Sequence, residues 1–488
     1  MVPKQMGLTR RPLFPMYRYS ISSHFFYLLY TLKINDYKGF LIIADLTQGE
    51  IKTHLKNLAL PATIGFLFHT LYNVTDTYFA GLISTQALAA LSLSFPVFFL
   101  LLSVAIGMSE ALTSIVGNAL GSNNKERAVI MSKNALLFAL VLSLLLTLSG
   151  IFSNAFLMSL LGASGEYLLS ALEYIDIVVY GALFFVLTMF INSLLNAQGD
   201  FISFRNILIF SFFLNIVLDY SFVHLGFGIQ GIAYATIISE AISMFYLFYK
   251  LSQTPLWRAG FSFDSALHAK IIRLGIPPTA NMLFMALGVF VVTYYASPFG
   301  EEVIAAMGVG MRIEQLAIMP IVGINVAVLA LISQNNGAKN FQRIREILKI
   351  ALLYTFYISL FAFALMFFLP GALISFFTTD ANVIKEGILF LRVEAFIIFA
   401  FGVIFIFVAL LQGIERPKFI FYISLIRQLI LPFILLEILS RTTHNVLFVW
   451  IAVALSVILA AVVILFYAKK VLTSCEENYY NSSHNGAC

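Results

Sequence analysis

The sequence predicts an all-α integral membrane protein whose twelve transmembrane helices form two pseudo-symmetric lobes of six. Three observations predict it. Of 488 residues, 60% are hydrophobic and only 11% charged, with a mean hydropathy of +0.94, whereas soluble domains carry about 25% charged residues. Apolar runs long enough to span a bilayer recur twelve times between polar breaks, and the second six repeat the pattern of the first. At this charge density a chain of this length has too few polar side chains to coat soluble domains. A soluble enzyme, a disordered protein and a nucleic-acid binder are thereby disfavoured.

A spanning helix needs about 20 mostly apolar residues. Divided at charged or Gly/Asn-rich breaks, the first six stretches are 57–80, 88–112, 134–157, 168–191, 203–223 and 229–250. The second six are 271–297, 305–333, 346–369, 384–412, 418–439 and 445–468. None shows the ten-residue alternation of a transmembrane barrel. Residues 1–50 read as an N-terminal extension, 51–252 as the first lobe, 253–269 as a linker, 270–470 as the second lobe and 471–488 as a tail. Residues 1–18 hold four cations ahead of a fairly apolar run, which imitates a signal peptide, but Lys33, Asp36 and Lys38 interrupt it and no small-residue cleavage site follows. Cys475 and Cys488 lie in the tail and offer neither a disulfide framework nor metal-ligand spacing.

Lysine and arginine set the orientation. Loops after even-numbered spans hold fourteen of them, Lys125, Arg205, Lys270 and Arg343 included, while loops after odd-numbered spans hold only Lys385 and Arg441. The positive-inside rule then places the even loops and both termini in the cytoplasm of a multi-pass cytoplasmic-membrane protein.

The repeat appears at an offset of 216. Leu58-Ala-Leu-Pro61 meets Leu274-Gly-Ile-Pro277, Gly107 meets Gly323, and Gly121-Ser-Asn-Asn-Lys-Glu-Arg127 meets Gly337-Ala-Lys-Asn-Phe-Gln-Arg343. A gap of two residues brings Gln198-Gly199 onto Gln412-Gly413. Six spans per half is even, so the halves share one topology about an axis along the membrane normal. Transporters built this way hold substrate near the repeat interface.

Ionisable residues inside spans are costly and are functional candidates. Asp76 and Asp219 lie near the outer ends of the first and fifth spans, and Thr236 lies about two turns into the sixth. Asn215 precedes Asp219 by four residues, which puts both on one helix face. At the aligned positions the second half has Val292 for Asp76, Phe433 for Asp219 and Leu429 for Asn215. An architectural need would recur in both halves, so the asymmetry favours function. Burial and a like-charged neighbour favour the neutral form of a carboxylic acid, which suits proton exchange. Carboxylate, amide and hydroxyl oxygens equally suit Na⁺, a hard cation.

Other signals carry less. His69 sits seven residues before Asp76, Asp176 lies at a depth similar to Asp219, and Met282 and Met285 are adaptable groups suited to a promiscuous cavity. Arg312/Glu314 and Arg392/Glu394 read as pairs that brace the second half, and Glu240 is a further charge within a span. Gly226-x-Gly-x-x-Gly231 spells a dinucleotide fingerprint, but it joins two spans instead of following a strand. The sequence contains no phosphate-binding loop and no serine elbow, so an enzyme is not expected.

Taken together, Leu60-Pro61, Tyr72-Asn-Val-Thr-Asp-Thr77 with Gly81, Asn215-x-x-x-Asp219, Gly231-x-Ala-x-Ala-Thr236, Arg312-Ile-Glu314 and Gln334-Asn-Asn-Gly337 resemble the multidrug and toxic compound extrusion (MATE) family, in its DNA-damage-inducible-protein-F-like branch. The resemblance covers residues 47–470. It implies a MATE-type fold of two six-helix lobes about a cavity open to one side at a time, and cation-driven export. It implies a proton or Na⁺ site at Asp76, Asn215, Asp219 and Thr236, a helix-bending proline at Pro61, and cavity positions at Tyr174 and Asn192. Relatives with a second-lobe cation site carry acids that align near Met285 and Phe401 here, so coupling is expected in the first lobe alone.

The expected function is a cation-coupled antiporter, driven by H⁺ or Na⁺, that exports amphipathic, mostly cationic molecules. No cofactor beyond the coupling ion is expected; the partners are small organic substrates and membrane lipids, and the chain is expected to be a monomer. The alternative is a flippase for lipid-linked oligosaccharide or peptidoglycan precursors, whose pyrophosphate calls for buried cations that the first half lacks.

Overall fold

The computed structural model describes residues 44–257, 262–443 and 445–485. These residues are helical throughout apart from short connections, with no strand among them. A bilayer core offers no water to exposed backbone groups, so each apolar run satisfies its own amides as a helix.

In chain order the first half comprises α1 (Ile51–Ile83), α2 (Thr85–Gly121), α3 (Lys125–Leu160), α4 (Gly165–Tyr180), α5 (Ala182–Ala197), α6 (Ile202–His224) and α7 (Gly228–Ser252). The second comprises α8 (Ser265–Ala296), α9 (Glu301–Gly337), α10 (Phe341–Phe368), the short α11 (Pro370–Ser375), α12 (Ala381–Ala395), α13 (Ile398–Gly413), α14 (Lys418–Leu425), α15 (Leu431–Thr443) and α16 (Val446–Asn485). A five-residue π-helical segment, Ile426–Ile430, joins α14 to α15. Nine helices are long and apolar enough to cross a membrane, with α14 and α15 acting as one, and the bent pairs α4/α5 and α12/α13 bring the number to eleven. α1, 33 residues long, completes the twelve; it is the most polar span because it carries His69, Asn73 and Asp76.

Two spans predicted as continuous are broken. α4/α5 and α12/α13 each bend by 46°, at Gly181 and at Phe396–Ile397, positions again 216 apart. No proline marks either bend. At Gly181 the lost side chain lets Ile237 of α7 pack against the backbone, since a methyl group there would lie 2.6 Å from it. The helices also outrun the apolar stretches. α9 has 37 residues, about 55 Å, against a hydrocarbon core of about 30 Å.

The repeat is visible as reciprocal contact. A methyl group at Gly107 of α2 would overlap Thr279 of α8, and one at Gly323 of α9 would overlap Thr63 of α1. The two glycines are 216 apart, and so are the two threonines. Likewise Gly121 abuts the Gln334 carbonyl and Gly337 abuts the Asn118 carbonyl. Small residues let membrane helices approach this closely. The loops repeat as well. Asn124 and Asn340 accept from the amides of Arg127 and Arg343 at 3.0 and 3.1 Å, and Asn123 and Lys339 take the same left-handed backbone, φ 57° and 58°. The two-residue gap near Gln198 is not needed: Asp200 N–H bonds to Leu195 and Arg416 N–H to Leu411, at 3.0 and 2.8 Å, a spacing of 216 once more. At that offset Asn215, Asp219 and Thr236 face Leu431, Leu435 and Ala452, so the polar set still has no counterpart.

Among the described residues, hydrogen bonds between the halves all lie at the end that carries the cation-rich loops. Ser114 donates to the Gln412 carbonyl at 2.6 Å, Gln412 Nε2 to Glu110 at 2.8 Å, and Asn336 to Asn118 at 2.6 Å. Apolar cores at this end include residues of both halves, such as Ala62 with Ile324 and Leu112 with Leu274. At the opposite end the cores are separate, one drawn from residues 79–233 and the other from 296–452.

The described residues next to each predicted tail pack on the bundle. Residues 44–50 are a strap across the cation-rich end: Ala44 N–H bonds to Gln198 at 3.0 Å, and Leu46, fully buried, donates to Gln334 at 2.9 Å and accepts from Asn335 at 3.1 Å. At the other terminus α16 continues past residue 470 and docks on α10 through an Arg345–Glu476 ion pair and Phe341–Tyr479 packing.

Candidate functional site

α1, α6 and α7 converge on the polar set that the second half lacks. Asp76 is 4% exposed, Thr236 6%, and Asn215 and Asp219 are fully buried. The Thr236 hydroxyl lies 3.1 Å from Asp76 Oδ2 and 3.0 Å from the carbonyl of Ile232, so its one proton is shared between a carboxylate and its own helix. Asn215 and Asp219 are the other polar neighbours of Asp76. Five atoms here are buried without a hydrogen-bond partner: Asp76 Oδ1, both Asp219 oxygens and both polar atoms of the Asn215 amide. Each such atom costs about 1–3 kcal/mol when left unsatisfied, and two ionised carboxylates have only acceptors to offer each other. A proton or a hard cation between them supplies what the protein does not.

Two tyrosines complete the wall. Tyr72, one turn before Asp76 on the same face, donates to the Thr236 carbonyl at 3.2 Å, and Tyr174 of α4, 9% exposed, borders both acids and Thr236. Tyr174 was expected from the resemblance; Tyr72 was not, although its spacing of four from Asp76 was the available signal. Glu240 was also missed as a site residue. It follows Thr236 by four residues and lies beside Thr188 of α5 and Tyr72.

The remaining candidates are dispersed. Asn192, on α5, is half-buried with an unpartnered Oδ1. His69 is half-buried two turns from Asp76, and its carbonyl accepts from Asn73 at 2.9 Å. Asp176 turns away from the acids and accepts from Asn154 of α3 at 2.8 Å, because residues two apart on a helix face opposite sides and Tyr174 takes the inward one. Met282 is half-buried and Met285 43% exposed on α8, which packs chiefly on α2 and α14 instead of the helices of the acid pair. Pro61 is buried within an α1 that runs on through it. The expected Arg312/Glu314 and Arg392/Glu394 pairs do not form, for the same two-residue reason. Glu314 neighbours Arg427 and Glu394 instead, while Arg312 is exposed and Arg392 lies over Phe367 at 5.9 Å.

A twofold-repeated helical bundle with a buried acid pair in one half defines a membrane transporter. The MatE family model matches residues 61–221 and 277–436. Its two segments begin at Pro61 and Pro277, 216 apart, and the chain belongs to this family of multidrug and toxic compound extrusion transporters. It is 28% identical over 396 residues to a protein of Shewanella oneidensis named FAD transporter, covering 79% of this chain and 87% of the relative. It is 27% identical over 344 residues to the "Probable multidrug resistance protein NorM" of Thermotoga maritima, covering 69% and 74%. Among solved structures, one titled as an outward-facing conformation of a multidrug resistance MATE family transporter of the MOP superfamily superposes with a TM-score of 0.84 at 26% identity, covering 88% of this chain and 98% of that one. A MOP superfamily transporter from Pyrococcus furiosus, titled for the reverse polarity of its binding pocket, gives 0.81 at 26% identity, with 88% and 98% covered.

Proposed function

We propose that this protein is a cation-coupled antiporter that exports amphipathic organic molecules, mostly cations, across the cytoplasmic membrane. The observation that carries the reading is the Asp76–Asp219 pair with its five unpartnered atoms. A proton or Na⁺ entering the pair completes the hydrogen bonding of α1, α6 and α7 and so changes how these helices pack. The halves are joined at the cation-rich end and hold separate cores at the other, the arrangement of a state open away from the cytoplasm. Loading the pair from that side and releasing the ion inward drives the exchange, and the electrical part of the gradient supplies about 2.3 kcal/mol per charge per 100 mV.

Relatives named for multidrug resistance and multidrug export support the substrate class. The relative named FAD transporter points to an anionic cargo, and a lipid-pyrophosphate flippase would carry one too. Such cargoes call for cations in the cavity, and the ionisable groups at the first-half site are the acids Asp76, Asp219 and Glu240 and the phenols Tyr72 and Tyr174, with His69 two turns from Asp76 as a base nearby. The DNA-damage-inducible-protein-F-like branch is supported by Asn215 and Asp219 and by the apolar Met285 and Phe401. The test is efflux in everted vesicles with ΔpH and a Na⁺ gradient imposed separately. Uptake driven by one ion alone, lost in Asp76→Asn and Asp219→Asn, supports the reading; rescue of a flippase-depleted strain without drug transport supports the alternative.

A further inference from the structure

Each of four first-half helices offers a polar pair spaced by four residues: Tyr72 and Asp76 on α1, Thr188 and Asn192 on α5, Asn215 and Asp219 on α6, Thr236 and Glu240 on α7. α1 and α6 run away from the cation-rich end and α5 and α7 run towards it. Tyr72 and Glu240 therefore lie one turn nearer that end than Asp76 and Thr236. The two levels differ in access. Asp219 is fully buried and Asp76 nearly so, whereas Glu240 and Tyr72 are half-buried.

Glu240 takes part in neither ion pair formed among the described residues, which are Lys270–Glu415 and Arg345–Glu476. Beside its carboxyl group lies the Thr188 hydroxyl, 2% exposed. Tyr72, whose hydroxyl donates to the Thr236 carbonyl one turn away at 3.2 Å, is a further neighbour of Glu240. A half-buried carboxylate with a tyrosine and a threonine hydroxyl as neighbours is the chemistry that holds an organic ammonium group.

We propose that Glu240 is the contact for the positive centre of the transported molecule and sets the preference for cations over neutral molecules of the same shape. Ion and cargo then occupy neighbouring positions one level apart, instead of competing for one carboxylate. The proposal rests on the antiporter reading and adds to it a mechanism of exchange: a proton or Na⁺ at Asp76–Asp219 and an organic cation at Glu240 are like charges within a turn or two, so each weakens the other's binding.

Binding of ethidium, a permanent cation, and of Nile red, a neutral dye, to the purified full-length protein without any gradient tests this. Glu240→Gln is expected to raise the ethidium Kd about tenfold or more and to leave the Nile red Kd unchanged, while Glu240→Asp stays within about threefold of wild type for both. An ethidium Kd unchanged in Glu240→Gln, or an equal loss for both dyes, would overturn the proposal. These equilibrium measurements do not depend on coupling. Ion-driven export that survives Asp76→Asn and Asp219→Asn would therefore sink the antiporter mechanism without touching the Glu240 result.

Discussion

Thr236 on α7 donates to Asp76 on α1 at 3.1 Å, a hydrogen bond that ties the acid pair to a third helix. A hydrogen bond to a charged group contributes about 1.5–3 kcal/mol. Thr236→Val keeps the shape and removes the hydroxyl. The coupling-ion concentration for half-maximal transport is expected to change tenfold or more, while Thr236→Ser stays near wild type. Equal behaviour of the two variants would deny Thr236 a part in ion binding.

Gly121 and Gly337 bring α2 and α9 together at the cation-rich end, and each lies where a methyl group would strike a carbonyl of the other half. Gly121→Ala and Gly337→Ala are each expected to hold this end open. Spin labels at Lys125 and Gln342 should report a longer, broader distance, with export reduced to background. Gly308→Ala, where nothing lies within 4 Å, is the control and should behave as wild type.

Gln412 Nε2 donates to Glu110 at 2.8 Å across the same junction. Gln412→Glu sets two carboxylates against each other and is expected to loosen the junction. Adding Glu110→Gln restores a donor and an acceptor, so the double variant should recover labelled distance and export together. Additive losses would show that the two residues do not act as a pair.

The strap before α1 gives a stability prediction. Leu46 is fully buried between the halves, whereas Leu60 is 54% exposed on the outside of α1. Burial makes Leu46→Ala cost about 2–5 kcal/mol. Its Tm in detergent should fall well below that of Leu60→Ala; equal melting would mean that the strap does not bear on stability.

Much of this was legible in the sequence because the physics that sets it is local. Sustained apolar length gave the spans, and paired Pro61/Pro277, Gly107/Gly323 and the Asn-capped loops gave the repeat. The same repeat isolated Asp76, Asn215 and Asp219 by showing what the second half lacks. The bend at Gly181 was not legible, since it lies inside an unbroken apolar run and is set by packing against Ile237, and Arg392 and Glu394 before Phe396–Ile397 were read as paired charges and not as the start of a break. The Arg312/Glu314 pairing failed on helix geometry that the spacing itself could have revealed. Glu240 and Tyr72 were readable in principle, each four residues from a recognised site residue, but only the convergence of α1, α5 and α7 shows that they share a place. Residues 1–43 lie outside the described part of the chain, as does any role for them.

The proposed antiport turns on binding of the coupling ion by the Asp76–Asp219 pair. The most direct measurement is ion-driven transport of ethidium in proteoliposomes by wild type and Asp219→Asn, with ΔpH and a Na⁺ gradient imposed one at a time. The pair predicts robust transport by wild type under one of the two gradients and transport at the protein-free level for Asp219→Asn under both, with ethidium binding retained. Transport by Asp219→Asn equal to wild type would contradict it.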